Sequence, residues 1–181
     1  MMNKILFPLL ASGLAVGLLT ANLAGQSSLG LNAGGFVSGV GELRLEQAIS
    51  PKLSAFVLGA LVNSEQSGID FTGFGFGGGL RYFPLGSETA EGPYLQGDLT
   101  AFRLDFKDIR AVDFSYAVSL LTVRGGYRYW LGANLWIEGG AGFRSGVREE
   151  VPTSSRGVNA LWGRQGRATI DVGLGIAIRG R

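Results

Sequence analysis

The stretch from Thr169 to Ile178 constrains the fold more than any other part of the chain. Ile170, Val172, Leu174, Ile176 and Ile178 recur at every second position, with Thr169, Asp171, Gly173, Gly175 and Ala177 between them. Alternation with a period of two is the signature of a β-strand whose faces meet different surroundings. In a water-soluble sheet the face opposite the aliphatic row would be solvated, and glycine there weakens the strand. A branched aliphatic face backed by small or polar residues instead fits a strand dividing hydrocarbon from a narrow interior, as in a transmembrane barrel.

The same alternation recurs along the chain. Leu43 and Leu45 oppose Glu42, Arg44 and Glu46, while Phe74, Phe76, Leu80 and Tyr82 oppose Gly75, Gly77, Gly79 and Arg81. Leu135, Ile137, Ala141 and Phe143 oppose Trp136, Glu138, Gly140, Gly142 and Arg144. Residues 53–62 are apolar on both faces and leave their orientation open. Residues 94–106 change phase: Leu95, Leu99 and Ala101 form the apolar row first, then Phe102, Leu104 and Phe106. That slip predicts a β-bulge near Ala101. Mean hydropathy is +0.24 and only 17% of residues are charged. Past the N-terminus there is nonetheless no apolar run near the ~20 residues a spanning helix needs.

The pattern predicts an all-β chain, an eight-stranded antiparallel up-and-down transmembrane β-barrel, with strands over 27–35, 39–48, 52–63, 70–84, 93–106, 113–129, 133–146 and 166–180. An even count leaves both ends of the barrel on the periplasmic side. The connections at 49–51, 85–92 and 131–133 then lie on that side, and those at 64–68, 107–112 and 147–165 lie outside. Tyr82, Phe83, Tyr94, Tyr129, Trp130 and Trp136 fall beside the periplasmic turns, and Phe71, Phe106 and Phe114 near the opposite ends. They are the expected members of two aromatic girdles.

Residues 1–25 read as a cleaved secretory signal peptide, leaving 26–181 as the barrel domain. Lys4 supplies the positive flank, residues 5–19 the apolar segment, and Ala21, Ala24 and Gly25 the small residues of a cleavage region. A retained membrane anchor is the rival reading. The formal net charge of +2 leaves no basic footprint for nucleic acid. There is no cysteine, which removes disulfides and thiolate metal sites.

The inward positions carry the chemistry. Glu42, Arg44, Glu46, Arg81, Asp98, Arg124, Arg128, Glu138, Arg144 and Asp171 fall on the small or polar face, acidic and basic in equal number. An eight-stranded lumen is only wide enough for side chains to fill. Charges confined there are expected to pair, because an isolated one costs several kcal/mol. A salt-bridged plug is the expected outcome, and an ion path lined by the same groups the sharper alternative.

No histidine is present to act as general base, so the histidine-dependent hydrolytic mechanisms lose their proton acceptor. The sequence therefore points away from an enzyme and calls for no cofactor or metal. Asp105 with Asp108, and Glu149 with Glu150, read as solvated charges at strand ends. The glycine runs at 75–79 and 139–142 lack the Lys-Ser/Thr of a phosphate loop. Arg148, Arg156, Trp162, Arg164 and Arg167 lie in or beside the long connection after the seventh strand and are candidate surface contacts for phosphate groups or an acidic partner.

Residues 28–35 (SLGLNAGG) followed by 41–53 (GELRLEQAISPKL), and 79–83 (GLRYF) leading to 92–94 (GPY), resemble the hairpins of small outer-membrane barrels of the OmpA-like and OmpW-like superfamily. The chain departs from them in ending Ile178, Arg179, Gly180, Arg181 without a terminal aromatic. The resemblance implies an eight-stranded outer-membrane barrel and carries over no catalytic residue. Such a barrel is expected to serve envelope integrity or surface interaction, as a monomer in outer-membrane lipid. Lipopolysaccharide or an envelope protein is the expected partner. A narrow channel for small solutes and a soluble periplasmic barrel enclosing an apolar ligand are the alternatives; the latter requires the Ile170–Ile178 aliphatic row to point inward.

Overall fold

The computed structural model describes residues 26–33, 39–66, 69–86, 90–108, 114–150 and 167–178. Eight strands follow one another: β1 (Ser27–Asn32), β2 (Val40–Ser50), β3 (Leu53–Gln66), β4 (Ile69–Tyr82), β5 (Gly92–Asp108), β6 (Phe114–Leu131), β7 (Leu135–Glu150) and β8 (Arg167–Ile178). Each pairs antiparallel with its sequence neighbours, and β8 returns to β1, from Ser27 opposite Ile178 to Asn32 opposite Gly173. The sheet is thereby closed, with no free edge among the described strands.

Closure makes the alternation directional. Ile170 and Val172 are 80% and 53% exposed, and Leu174, Ile176 and Ile178 share their outward face. Leu61, Phe74, Leu80, Leu95, Val123 and Phe143 continue this apolar exterior around the barrel. The aliphatic row thus points away from the lumen, which removes the reading in which it encloses an apolar ligand. On β3, Ser54, Phe56, Leu58, Ala60 and Val62 turn inward, which settles the strand whose two apolar faces left its orientation open.

The register corrects the expected bulge near Ala101. Pairing of β5 with β4 and with β6 runs without a shift from Leu95 to Phe106. Phe102 and Leu104 are inward and buried, continuing the row of Tyr94, Gln96, Asp98 and Thr100. What changes at Ala101 is the chemistry of the two sides. Toward Asp108 the lumen becomes apolar and the outer face polar, as exposed Arg103, Asp105 and Ser115 mark. Real register shifts occur at Ile49, between Ala48 and Ser50, and at Val147, opposite the Ser119–Leu120 step.

The ladder also extends beyond the expected strand ends, to Gln66 on β3 and Glu150 on β7. Polar residues on both faces hide a strand from pattern analysis, yet their backbone groups still require partners. At the opposite end the β2–β3 and β6–β7 turns are short, while residues 83–91 make a longer connection between β4 and β5. Ser50 pairs with Leu53 across Pro51 and Lys52, and Gly132 opens the β6–β7 turn with φ +83°, a left-handed conformation that favours glycine. We call this the turn end and the other the loop end.

Inward glycines make room for large side chains. A Cβ at Gly30 would lie 2.6 Å from the Trp136 ring, and one at Gly175 would strike that ring and the Leu29 carbonyl oxygen. Trp136 therefore wedges against the β1–β8 seam, where the barrel closes. Gly175→Ala is expected to cost about 1–3 kcal/mol through overpacking against backbone that cannot yield. Gly59→Ala, with no atom within 4 Å of the added methyl group, is expected to be neutral. The urea midpoint at which heat-resistant gel mobility is lost compares the two.

Candidate functional site

Alternation aims charged and polar side chains from all eight strands at one another within the lumen. Glu138 of β7 is the hub. Its carboxylate accepts from Arg44 Nη1 at 3.0 Å, Arg81 Nη1 at 2.9 Å and Arg128 Nη2 at 2.8 Å. Glu46 of β2 is the second centre, 2.9 Å from Arg81 Nη1 and 2.7 Å from Arg128 Nη2, with Ser54 Oγ donating to it at 2.6 Å. Arg44 closes this tier by donating to Glu42 at 2.7 Å.

A second tier lies nearer the loop end. Arg124 of β6 spans the lumen between Asp98, at 3.1 Å, and Asp171, at 2.6 Å, and Asn32 Nδ2 also donates to Asp171. Gln96 joins the tiers: its carbonyl oxygen accepts from Arg81 Nε at 3.1 Å and its amide donates to Asp98 at 2.7 Å. Planar guanidinium groups suit this arrangement, because each offers five donors in a fixed fork. Arg44, Arg81, Arg124 and Arg128 each engage two carboxylates.

Arg144 differs. It lies on the inner face of β7, half-buried, and donates from Nε to Thr122 Oγ1 at 3.3 Å, with no ion pair to a carboxylate among the described side chains. The expectation that this arginine shares in the pairing is corrected. On β7 it lies two rungs past Gly142, directly across from Thr122 and Arg167 rather than from a carboxylate.

The floor of the lumen is aromatic. Arg81 stacks over Tyr94 at 4.2 Å and Arg128 over Trp136 at 4.2 Å, with Arg44 over Phe56 at 4.9 Å. Guanidinium faces above ring faces gain cation–π attraction while their edges hydrogen-bond to carboxylates. Phe83, Tyr94 and Trp136 are therefore luminal, a correction to their expected place in an interfacial girdle. Proximity to a turn says nothing about the face a residue occupies, and Trp136 shares that of Glu138. Tyr82 and Tyr129 do point outward, whereas the side chains of Phe71, Phe106 and Phe114 lie outside those described.

Beyond the charged tiers, Ala60, Val62, Phe102, Leu104, Tyr116, Val118 and Leu120 pack as one buried apolar cluster. The lumen is thus filled by guanidinium–carboxylate pairs in one half and by hydrocarbon in part of the other. Sequence reasoning missed Gln96, Ser54, Asn32 and the apolar tier. Parity on β5 could have found Gln96, which lies two residues before Asp98.

Of the candidate surface contacts, Arg167 opens β8 and is exposed opposite Arg144. Arg148 is on β7 with a side chain outside those described, and Arg156, Trp162 and Arg164 lie outside the described residues. Of the acidic pairs, Asp105 is exposed and accepts from Ser115 Oγ. The side chains of Asp108, Glu149 and Glu150 are outside those described. Among the described residues no group of three or more metal-ligating side chains converges. No described helix is long and apolar enough to cross a membrane, which says nothing of strands.

The architecture defined by these features is a closed eight-strand antiparallel barrel of the outer-membrane type, apolar outside and salt-bridged within. No family model matches the chain, and no curated protein matches it in sequence. Among solved structures it is similar to the crystal structure of Neisserial surface protein A, with a TM-score of 0.53 over 86% of this chain and 94% of that one. Identity between the two is 15%, so the likeness is one of fold.

Proposed function

We propose that this chain is an exported outer-membrane protein that supports the envelope or engages a partner at the cell surface through its loop end, and that it neither conducts nor catalyses. The observation that carries this reading is the division of each strand. An aliphatic row points out of the barrel, while nearly all inward charges are neutralised by one another. An exterior of exposed Leu, Ile, Val and Phe that runs around the barrel favours a hydrocarbon surround. The likeness to a surface-protein barrel supports the same placement. Residues 1–25 would serve as the signal that brings the chain there, and the barrel would act as a monomer.

The luminal filling favours an envelope or surface role over transport. A solute would have to part Glu138 from its three arginines and then cross the apolar cluster. The sugar-phosphate of lipopolysaccharide or an envelope protein is the partner this reading places at the loop end. Membrane fractionation with heat-modifiable gel mobility tests the reading. The protein should stay with outer membranes through carbonate washing and migrate differently before and after boiling; release in soluble form sinks it. In planar bilayers the purified barrel should give no conductance steps above background, and regular steps would revive the narrow channel.

A further inference from the structure

We propose that the loop end of the lumen holds a binding site for one oxyanionic group, a phosphate or carboxylate, centred on Arg144. Four inward arginines each engage two carboxylates, but Arg144 engages none among the described side chains. A half-buried guanidinium with a single long hydrogen bond retains most of its donors for a ligand. The carboxylate whose field it shares, Glu42, is already bound to Arg44 Nη2 at 2.7 Å.

The neighbouring groups converge on the same chemistry. Arg124, Gly142 and Thr169 form one row across β6, β7 and β8, and Thr122, Arg144 and Arg167 form the next. In the first row Arg124 Nε and Thr169 Oγ1 are buried and have no hydrogen-bond partner among the described residues, a lack shared in the turn-end tier by Arg44 Nε and Trp136 Nε1. Unsatisfied buried polar atoms are uncommon and mark a place for a further partner. The next inward pair, Leu120 with Gly146, offers no side-chain acceptor to Arg144. What the site lacks is therefore an acceptor of negative charge. An oxyanion supplies several acceptors at once and matches the fork of a guanidinium.

The group could come from a free ion or from the headgroup of an outer-leaflet lipid. The inference rests on the outer-membrane reading only in placing the mouth outside the cell. The test uses the full mature chain refolded in detergent micelles, titrated with inorganic phosphate against chloride at matched ionic strength. The readout is the temperature at which heat-resistant gel mobility is lost. Phosphate at roughly tenfold its dissociation constant should raise that temperature by about 4 °C. Arg144→Gln should abolish the rise while keeping the mobility shift of a folded barrel. Arg144→Lys should keep part of it, and Thr169→Val should weaken it. A second arm replaces free phosphate with micelles doped with a short-chain phosphatidate. A response to both assigns the oxyanion itself, and a response to the lipid alone assigns the headgroup. A parent barrel that folds but responds to neither probe overturns the inference and leaves the barrel reading intact, as does an Arg144→Gln barrel that responds like the parent. A parent that never forms a heat-resistant species overturns both.

Discussion

Glu138→Gln is expected to cost the barrel about 3–5 kcal/mol, the range for breaking a buried ion pair by removing one partner. The substitution keeps the shape of the side chain and removes its charge. Arg44, Arg81 and Arg128 then face one another with a shared counter-ion gone, and the new amide presents hydrogens where two guanidinium groups donate. Each of these side chains is at least nine-tenths buried, so water cannot replace what is lost. Adding Arg44→Met should not rescue the variant, because it leaves the buried carboxylate of Glu42 without its arginine. Asp105→Asn is the surface control. That carboxylate is exposed and accepts from Ser115, so its loss should stay within about 0.5 kcal/mol. Urea unfolding in micelles measures all three. A cost below about 1 kcal/mol for Glu138→Gln would show that solvent reaches the hub.

Leu174→Arg should destabilise the barrel in lipid vesicles by about 2–4 kcal/mol, the depth-dependent range for a cation on the hydrocarbon face of a membrane barrel. Leu174 lies midway along the outward row from Ile170 to Ile178 and faces away from the lumen. In water the same substitution would replace an exposed leucine by an exposed arginine, at little or no cost. The sign and size of the effect therefore report the surrounding solvent rather than the fold. Asn63→Arg provides the matched comparison. Asn63 is outward and exposed, and pairs with Thr72 above the apolar band, so an arginine there should be tolerated. Equal stability for the two variants in vesicles would place the aliphatic row outside hydrocarbon.

The two kinds of luminal filling act differently. The aromatic-backed charge tiers tie β2, β4, β6 and β7 together across the barrel, so the closed sheet is cross-braced as well as paired along its edges. Replacing such a network wholesale by hydrocarbon can be neutral, whereas breaking one member is not. The apolar cluster on β3, β5 and β6 has no such directional demand. It lies at the level where the outer face turns polar, at Arg103, Asp105 and Ser115. Beyond the outward aliphatic band the order is apolar inside and polar outside, as in a sheet surrounded by water.

That inversion is why residues 94–106 read as a bulge. A change of phase in the hydrophobic row has two causes, an inserted residue or an exchange of environments, and a local pattern cannot separate them. Phe102 and Leu104 keep the parity of Asp98, so the exchange is the cause here. Trp136 carries the same lesson, since its place beside a turn suggested the interface while its parity with Glu138 sends it into the lumen.

The number of strands, their approximate bounds and the outward faces of β2, β4, β7 and β8 are legible in the order of residues alone. These are local properties: successive side chains on a strand must point oppositely, so composition at alternate positions reports the two surroundings directly. Which arginine meets which carboxylate, that Arg124 reaches both Asp98 and Asp171, and that Arg144 meets neither, emerge with the closed barrel. Those partners come from strands far apart in the chain. Their approach depends on closure, strand tilt and the volume of intervening side chains, and no short-range pattern encodes these.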